Sequence, residues 1–404
     1  MNLYDRLGDK LLDLNKEPGD LLEEVLVDLE GRVDPERQKR VRKKYIRALN
    51  WGPVDCLPLA VSYPFPGEQI TGQSNYLQNP EGENERASLS WVYSPEERFY
   101  DPEKMFLNQL LVGFGSIYLN SEIGDQLPFT IRGNFGTVIV PSVYGAEIRF
   151  TEGNTPWASG SKSIGSYLDA DPYDFGESIF ERVYNRYEYY RELLSRYPRL
   201  QESVAVVLPD LQGPLEVAAS LLGEELYLKM IQEPDRVWQL LRRISKTIVA
   251  LAEKFKKLTR EHLPDGYTHQ HGAVIKGNIL IREDSAINLS AERYREQVLP
   301  HNEFIVDELS GGGVHFCGDG EHLVETMASS SKVDCIDLGQ PKMMDVRNIY
   351  DVCKEHRTPL IRVRFDREVL VRVNLGEEYP SGMILRHRAR SVSDAGEICS
   401  RYFA

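Results

Sequence analysis

GGGVHFCG at residues 311–318 and KVDCIDLG at residues 332–339 are two short apolar runs, each ending in glycine, with the length and composition of buried strands. Further runs with strand character lie at 57–63, 137–145, 203–210, 271–277, 359–365 and 382–388. Helical patterns fill most of the gaps, and the clearest is at 233–255, where apolar residues recur at helical spacing. Strand–helix alternation predicts a parallel sheet, because parallel neighbours need a crossover connection.

Two α/β architectures satisfy this alternation, an open doubly wound sheet and a closed barrel. The open sheet usually carries a glycine fingerprint after an early strand, and the sequence has none. We therefore expect a (β/α)8 TIM barrel over residues 51–404. Residues 1–50 have helical patterns and form a predicted helical N-terminal extension.

Composition excludes several classes of protein. The 404 residues carry a formal net charge of −14. This charge argues against a protein that binds nucleic acid or an anionic membrane over its whole surface. No apolar run reaches the length of a membrane-spanning helix, and the first residues lack the pattern of a signal peptide. Five cysteines, an odd and sparse number, fit a reducing compartment. We expect a cytoplasmic globular protein.

Several polar residues lie where predicted strands end, which is where barrel enzymes gather their chemistry. His315 and Cys317 are two residues apart, so their side chains leave a strand on the same side and can converge on one ion. His269 and His271 have the same spacing, and His387 lies near the end of the last strand. Spacing alone leaves a second interpretation open for these groups, namely hydrogen-bonded core histidines and a buried cysteine.

A further candidate lies at the turn after the strand at 203–210. Asp210 is followed by Gln212 and Gly213 and then by a helix, a turn that can aim backbone N–H groups at an anion. An ordinary loop with a capping carboxylate has the same sequence pattern.

The segments LPDLQGP (208–214), EPDRV (233–237), RED (282–284) and HFCG (315–318) together resemble the uroporphyrinogen decarboxylase superfamily. The resemblance covers the chain from about residue 200 onward and implies a (β/α)8 barrel with its site at the C-terminal mouth. Genuine uroporphyrinogen decarboxylases carry an arginine-rich loop after the first strand and an aspartate after the next one. PFPGE (64–68) contains no arginine and IYLNS (117–121) contains no aspartate, so the chain is closer to the cobalamin-dependent methyltransferase branch.

In that branch an H-x-C pair and a distant cysteine hold Zn²⁺. The resemblance therefore assigns His315 and Cys317 as metal ligands, with His387 in the place of the third ligand and His269 or His271 as substitutes for it. Zinc would bind a thiol acceptor, and a partner corrinoid protein or a free corrinoid would exchange a methyl group with a small-molecule substrate. A homodimer is compatible with this assignment.

The remaining predicted site residues would assist this reaction. Asp210 and Asp284 are candidates for orienting the substrate or the histidines, and Gln212, Gly213 and Trp157 for lining the cofactor site. Two other functions stay open: a cofactor-free decarboxylase, and a non-catalytic barrel that binds a tetrapyrrole or corrinoid. The decarboxylase predicts a basic pocket built from Arg362, Arg364, Arg372, Arg386 or Arg388.

Overall fold

A computed structural model describes residues 16–62, 72–73, 90–91, 93–113, 124–151, 154–270, 272–372, 375–390 and 392–404. Several residues used in the sequence analysis lie outside this part of the chain. They are the predicted ligand His271, residues 1–15 of the predicted extension, and the segments 64–68 and 117–121.

The described residues include fourteen short strands. In chain order these are β1 (Leu59–Ser62), β2 (Gly72–Gln73), β3 (Ser90–Trp91), β4 (Thr130–Ile131), β5 (Glu147–Arg149), β6 (Trp157–Ser159), β7 (Ala205–Val206), β8 (Tyr267–Gln270), β9 (Ala273–Lys276), β10 (Leu280–Arg282), β11 (Gly312–Phe316), β12 (Val333–Leu338), β13 (Leu360–Val363) and β14 (Met383–Arg388).

Eighteen α-helices connect and cover these strands in the described residues. They are α1 (Pro18–Arg32), α2 (Pro35–Leu49), α3 (Pro95–Tyr100), α4 (Pro102–Gly113), α5 (Ile139–Val143), α6 (Ile164–Asp169), α7 (Phe180–Leu194), α8 (Pro198–Ser203), α9 (Pro214–Leu222), α10 (Glu225–Gln232), α11 (Pro234–Lys256), α12 (Ala291–Gln297), α13 (Leu299–Glu308), α14 (Glu321–Ala328), α15 (Val346–His356), α16 (Arg367–Leu370), α17 (Leu375–Glu378) and α18 (Val392–Tyr402). Two 3₁₀ helices lie at Asp284–Asn288 and Pro341–Met343. None of the described helices is long and apolar enough to cross a membrane.

The central sheet has six strands in the order β1-β14-β13-β12-β11-β10, and every neighbouring pair is parallel. β4 and β7 form a second parallel pair. The predicted parallel α/β sheet is thus confirmed. Within the described residues no strand pairing joins β4 and β7 to the six-stranded sheet. The two are linked by a single backbone hydrogen bond that precedes β4, in which the N–H of Gln126 donates to the carbonyl oxygen of Leu59 in β1 over 3.0 Å.

Two predicted strands have a different structure. The run at 137–145 contains the short helix α5, in which Pro141 sits in the first turn, where a missing N–H costs no hydrogen bond. The run at 271–277 contributes β9, which pairs antiparallel with β8 and lies outside the parallel sheet. Gln270 pairs with Ala273, so only two residues separate the strands, far too few for the crossover of a parallel pair.

The long helix α11 confirms the clearest prediction from the sequence. Its apolar positions are all at most 2% exposed and face the main hydrophobic core: Val237, Leu240, Leu241, Ile244, Ile248, Leu251 and Phe255. Each such side chain contributes about 1.5–3 kcal/mol by burial, so the amphipathic pattern is enough to hold this helix against the core. The prediction of helices before residue 50 also agrees with α1 and α2.

The two faces of the central sheet belong to different hydrophobic clusters. Leu360, Met383 and Leu385 pack into the large cluster under the helices. Residues of the opposite face form a smaller cluster with the β8–β9 hairpin and α2: Val41, Tyr45, Ala48, Leu49, Val274, Ile275, Leu280, Cys335, Ile361 and Ile384. This smaller cluster lies near the N-terminal ends of β10, β13 and β14, and polar side chains of the same face continue toward the C-terminal ends.

Candidate metal centre

Three potential metal ligands meet at the C-terminal ends of β10 and β11. Asp284 lies two residues after the end of β10 and begins a 3₁₀ helix, His315 lies within β11, and Cys317 directly follows β11. His315 Nε2 lies 3.3 Å from Asp284 Oδ1 and 3.4 Å from Cys317 Sγ. All three ligand atoms lie within 4.8 Å of one another, so the described residues contain a candidate site for one metal ion.

The strand register brings these groups together. Arg282 pairs with His315 across β10 and β11, and His315 pairs with Asp337 across β11 and β12, so the three side chains share one face of the sheet. Asp284 and Cys317 lie two residues beyond Arg282 and His315 and continue on that face. The backbone N–H of Cys317 donates to Asp284 Oδ1 over 3.0 Å, which ties the two strand ends to each other.

Two of the ligand–ligand distances match those of a tetrahedrally coordinated ion such as zinc. Zn–N of about 2.0 Å, Zn–S of about 2.3 Å and a tetrahedral angle put a nitrogen and a sulfur ligand about 3.5 Å apart, and a nitrogen and an oxygen ligand about 3.4 Å apart. The distances from His315 Nε2 to Cys317 Sγ and to Asp284 Oδ1 are 3.4 Å and 3.3 Å. One imidazole, one thiolate and one carboxylate are also ligand types that zinc accepts.

Asp337 and Arg362 hold the imidazole from its other side. The Nδ1–H of His315 donates to Asp337 Oδ2 over 2.7 Å, so Nε2 is the nitrogen directed at Asp284 and Cys317. Arg362 donates to both carboxylate oxygens of Asp337, with Nε 3.0 Å from Oδ1. A carboxylate behind a ligating histidine fixes the ring orientation and raises its basicity, which is the arrangement around many metal sites.

The contacts among these buried groups shift their pKa values. Burial acts to lower the pKa of His315, but the Asp337 and Asp284 carboxylates together outweigh burial and raise it to about 10. Burial acts to raise the pKa of Asp284, but the hydrogen bond and the charge of His315 lower it to about 2. Burial acts to raise the pKa of Asp337, but the charges and hydrogen bonds of Arg362 and His315 together lower it.

Asp210 lies beside this cluster. Its Oδ2 is 2.6 Å from Arg282 Nη1 and 3.7 Å from Arg132 Nη1, and its Oδ1 accepts from both the backbone and the side chain of Gln212. Arg282 in turn places Nη2 3.4 Å from His315 Nε2. Asp210 and Gln212 therefore belong to the network that surrounds the candidate metal centre, and Arg282 links them to it.

Gly213 allows two loops to pack closely. An added Cβ at this position would lie 2.4 Å from Cδ of Glu283, so no larger residue fits without movement. The Glu283 carboxyl group accepts a 3.1 Å hydrogen bond from the backbone N–H of Glu216 at the start of α9. Burial and the charge of Glu216 raise the pKa of Glu283 well above its ordinary value. The predicted anion site at this helix start is thus filled by a side chain of the protein itself.

The other predicted ligands are not in the cluster. His387 lies on β14 between Arg386 and Arg388 and has the strand parity of Leu385, whose side chain packs on the helix-covered face. His387 is therefore on the opposite face of the sheet from His315, with Nδ1 3.2 Å from the Phe365 carbonyl oxygen.

His269 and Trp157 are also in separate places. His269 lies in β8, and its Nδ1–H donates to Glu261 Oε2 over 2.7 Å. β8 belongs to the β8–β9 hairpin, which packs near the N-terminal ends of the central strands. Trp157 is 40% exposed on the β5–β6 hairpin, and its Nε1 donates to Thr151 Oγ1 over 3.0 Å.

Sequence reasoning missed the residues that support the cluster. Asp337, Arg282 and Arg362 were not predicted as part of a metal site, and Asp284 was predicted to orient other groups rather than to be a ligand. A usable signal existed for Asp337, because it lies between the apolar residues Ile336 and Leu338 of a predicted buried strand, where a charged side chain requires a partner.

No protein-family model matches this chain, and the comparison with curated proteins finds no match either.

Proposed function

We propose that the protein is a zinc-dependent methyltransferase that moves a methyl group between a corrinoid and a small acceptor, such as a thiol, or a small donor. The observation that carries the proposal is the cluster of Asp284, His315 and Cys317 at the C-terminal ends of two parallel strands. Its donor types and spacings suit zinc, and its three ligands leave one position for substrate. The corrinoid would be supplied by a partner protein or bound free.

The proposal includes a uroporphyrinogen decarboxylase-like (β/α)8 barrel. Eight parallel strands support it, namely β1, β4, β7 and β10 to β14. In the central sheet, β10 to β14 lie side by side in chain order, and the last of them, β14, lies beside β1. The contact between Arg282 and Asp210 spans the ends of β10 and β7, where a closed barrel would join its two sheets.

Each residue of the cluster has a definite task in this reaction. Zinc, when bound, would lower the pKa of a substrate thiol so that a thiolate exists near neutral pH. His315, Cys317 and Asp284 would hold the ion, and Asp337 keeps the His315 ring turned toward it. Asp210 keeps Arg282 in position beside the ligands.

Further parts of the proposal concern location and assembly. All five cysteines are free, which supports a reducing compartment such as the cytoplasm. The proposal also includes a docked corrinoid protein and allows a homodimer, and it involves neither nucleic acid nor a membrane.

Metal content measured by plasma mass spectrometry tests the proposal. The protein is purified without chelator or affinity metal, and we expect about one zinc per chain that is lost in Cys317→Ala. Cys353→Ala is the matched control, because Cys353 is a buried cysteine of α15 that is remote from the cluster. Wild-type protein that takes up no metal after incubation with zinc, or a Cys317→Ala variant that retains it, contradicts the proposal.

A further inference from the structure

A lysine and a cysteine are in contact near the N-terminal ends of the central strands. Lys44 lies in α2, and its Nζ donates to Sγ of Cys56 over 2.9 Å. Cys56 precedes β1 in the chain, and all strands of the central sheet are parallel, so the pair lies away from the candidate metal centre at the C-terminal ends. The proposed methyl transfer uses neither residue.

The Lys44 ammonium group is largely buried against this thiol. The side chain is 16% exposed, and Nζ lies 3.5 Å from Asp55 Oδ1 and 5.4 Å from the centre of the Phe403 ring. The Asp55 side chain is 87% exposed, so water screens its charge and the ion pair is weak. Of these contacts, the one with the Cys56 thiol is the shortest. A partly exposed cysteine beside a lysine has the surroundings of a reactive cysteine.

Cys56 is open to solvent, in contrast to three of the other cysteines. Cys56 is partly exposed, whereas Cys335, Cys353 and Cys399 are at most 1% exposed. Burial raises the pKa of all three buried thiols, which keeps them in the unreactive protonated form near neutral pH. Cys317 belongs to the candidate metal centre. Cys56 is therefore the cysteine outside that centre that a dissolved oxidant can reach.

We propose that Lys44 and Cys56 form a redox modification site, at which a hydroperoxide generates a covalent S–N bond. The Cys56 thiolate attacks one peroxide oxygen, the O–O bond breaks, and the Lys44 ammonium gives a proton to the departing oxygen, which leaves as water or an alcohol. The sulfur is oxidised by two electrons to a sulfenic acid, and the peroxide is reduced. The neutral Lys44 amine then attacks this sulfur, the S–O bond breaks, and the hydroxide takes a proton from the nitrogen and leaves as water.

The contact between the two side chains supports the second step. Nζ and Sγ are already within hydrogen-bond distance, so a small movement of the Lys44 side chain brings the amine to the sulfur. Sulfenic acids condense with nitrogen to sulfenamides, and oxidation to this level is reversible. The new bond would join α2 to the segment that leads into β1.

Oxidation of the full-length protein, followed by mass spectrometry of its peptides, tests the inference. Hydrogen peroxide is the probe, and a parallel sample contains dimedone, which traps sulfenic acids. In the wild type we expect a cross-linked peptide that contains Lys44 and Cys56 and lacks two hydrogens. Dithiothreitol should restore both free side chains. With dimedone present, an adduct on Cys56 should replace the cross-link.

Variants at Lys44 separate its two tasks. Lys44→Met removes the charge and the proton donor, and we expect oxidation of Cys56 to slow about tenfold, the loss of one charge-assisted hydrogen bond. Lys44→Arg keeps the charge but has no amine, so Cys56 should still be oxidised while no cross-link forms. Lys43→Met, at the exposed neighbouring position, is the matched control and should behave like the wild type.

Two results would overturn the inference. Wild-type protein in which Cys56 is oxidised without a bond to Lys44 refutes the cross-link, and this test needs no variant. A folded Lys44→Met variant in which Cys56 is oxidised at the wild-type rate refutes the contribution of the ammonium. Neither residue is a candidate metal ligand, so zinc content and the cross-link are independent measurements, and the failure of one proposal leaves the other standing.

Discussion

Replacing Asp337 by asparagine tests whether the carboxylate behind His315 sets up the metal site. Asp337 is fully buried and holds the Nδ1–H of His315 at 2.7 Å. Asparagine has nearly the same shape and keeps one acceptor oxygen, but it removes the charge that faces both His315 and Arg362. We expect the protein to remain folded, with lower stability and a weaker affinity for zinc.

The magnitudes follow from the burial of these groups. The Arg362 side chain is only 13% exposed, so the substitution leaves a largely buried cation facing a neutral amide. Breaking a buried ion pair on one side costs about 3–5 kcal/mol, and the retained acceptor puts our expectation near the lower end of that range. Loss of the carboxylate behind a ligating histidine typically lowers metal affinity by about 10- to 100-fold.

Two assays measure the two effects. Urea unfolding gives the change in stability, and competition with a chromophoric chelator gives the dissociation constant for zinc. Asp366→Asn is the matched control, because Asp366 pairs with Lys342 at the surface, where the two side chains are 59% and 60% exposed. We expect that control to cost roughly 0–1 kcal/mol and to leave zinc affinity unchanged. A folded Asp337→Asn variant that binds zinc as tightly as the wild type would refute the reasoning.

Three further predictions concern the ligand set, the loop contact and a buried acid. Asp284→Ala should abolish zinc binding in the metal analysis while His387→Ala leaves it intact, and the reverse result would exchange their roles. Gly213→Ala should cost about 1–3 kcal/mol in urea unfolding, because its Cβ would lie 2.4 Å from Cδ of Glu283, and an unchanged stability would show that the loops move apart freely. Burial raises the pKa of Asp125 to about 6 despite Arg37, so the native protein binds this proton more tightly than the unfolded chain, and stability falls as pH rises through that value. Asp125→Asn should remove this fall, and its stability relative to wild type should increase by about 2 kcal/mol between pH 4.5 and 7.5; a pH-independent difference would contradict the assignment.

Elements with strong local patterns could be predicted from the sequence. The heptad-like apolar face of α11 and the strands β11 and β12 follow from periodicity and from glycine at their ends. The convergence of His315 and Cys317 follows from the two-residue repeat of a strand. These features depend only on residues close together in the chain, which is why no tertiary information was needed.

Features that depend on strand register were out of reach. Arg282, His315 and Asp337 meet because three strands pair with one particular alignment, and nothing in the local sequence fixes it. The same holds for the run at 271–277, whose apolar residues suit a parallel strand as well as the antiparallel hairpin that it forms. Asp284 became a ligand candidate only because this register sets the end of β10 against the end of β11.

His387 shows that the face of a strand on which a residue lies decides whether it can reach a metal site. Its position at the end of the last strand fits the third ligand implied by the family resemblance, yet position along a strand does not say which face a side chain uses. On β14, Ile384 belongs to the smaller cluster and Leu385 to the large one, so Arg386 lies on the face of His315 and His387 on the opposite face. On the face that carries His315, β14 presents Arg386 at this point, and the third candidate ligand is Asp284, just after β10.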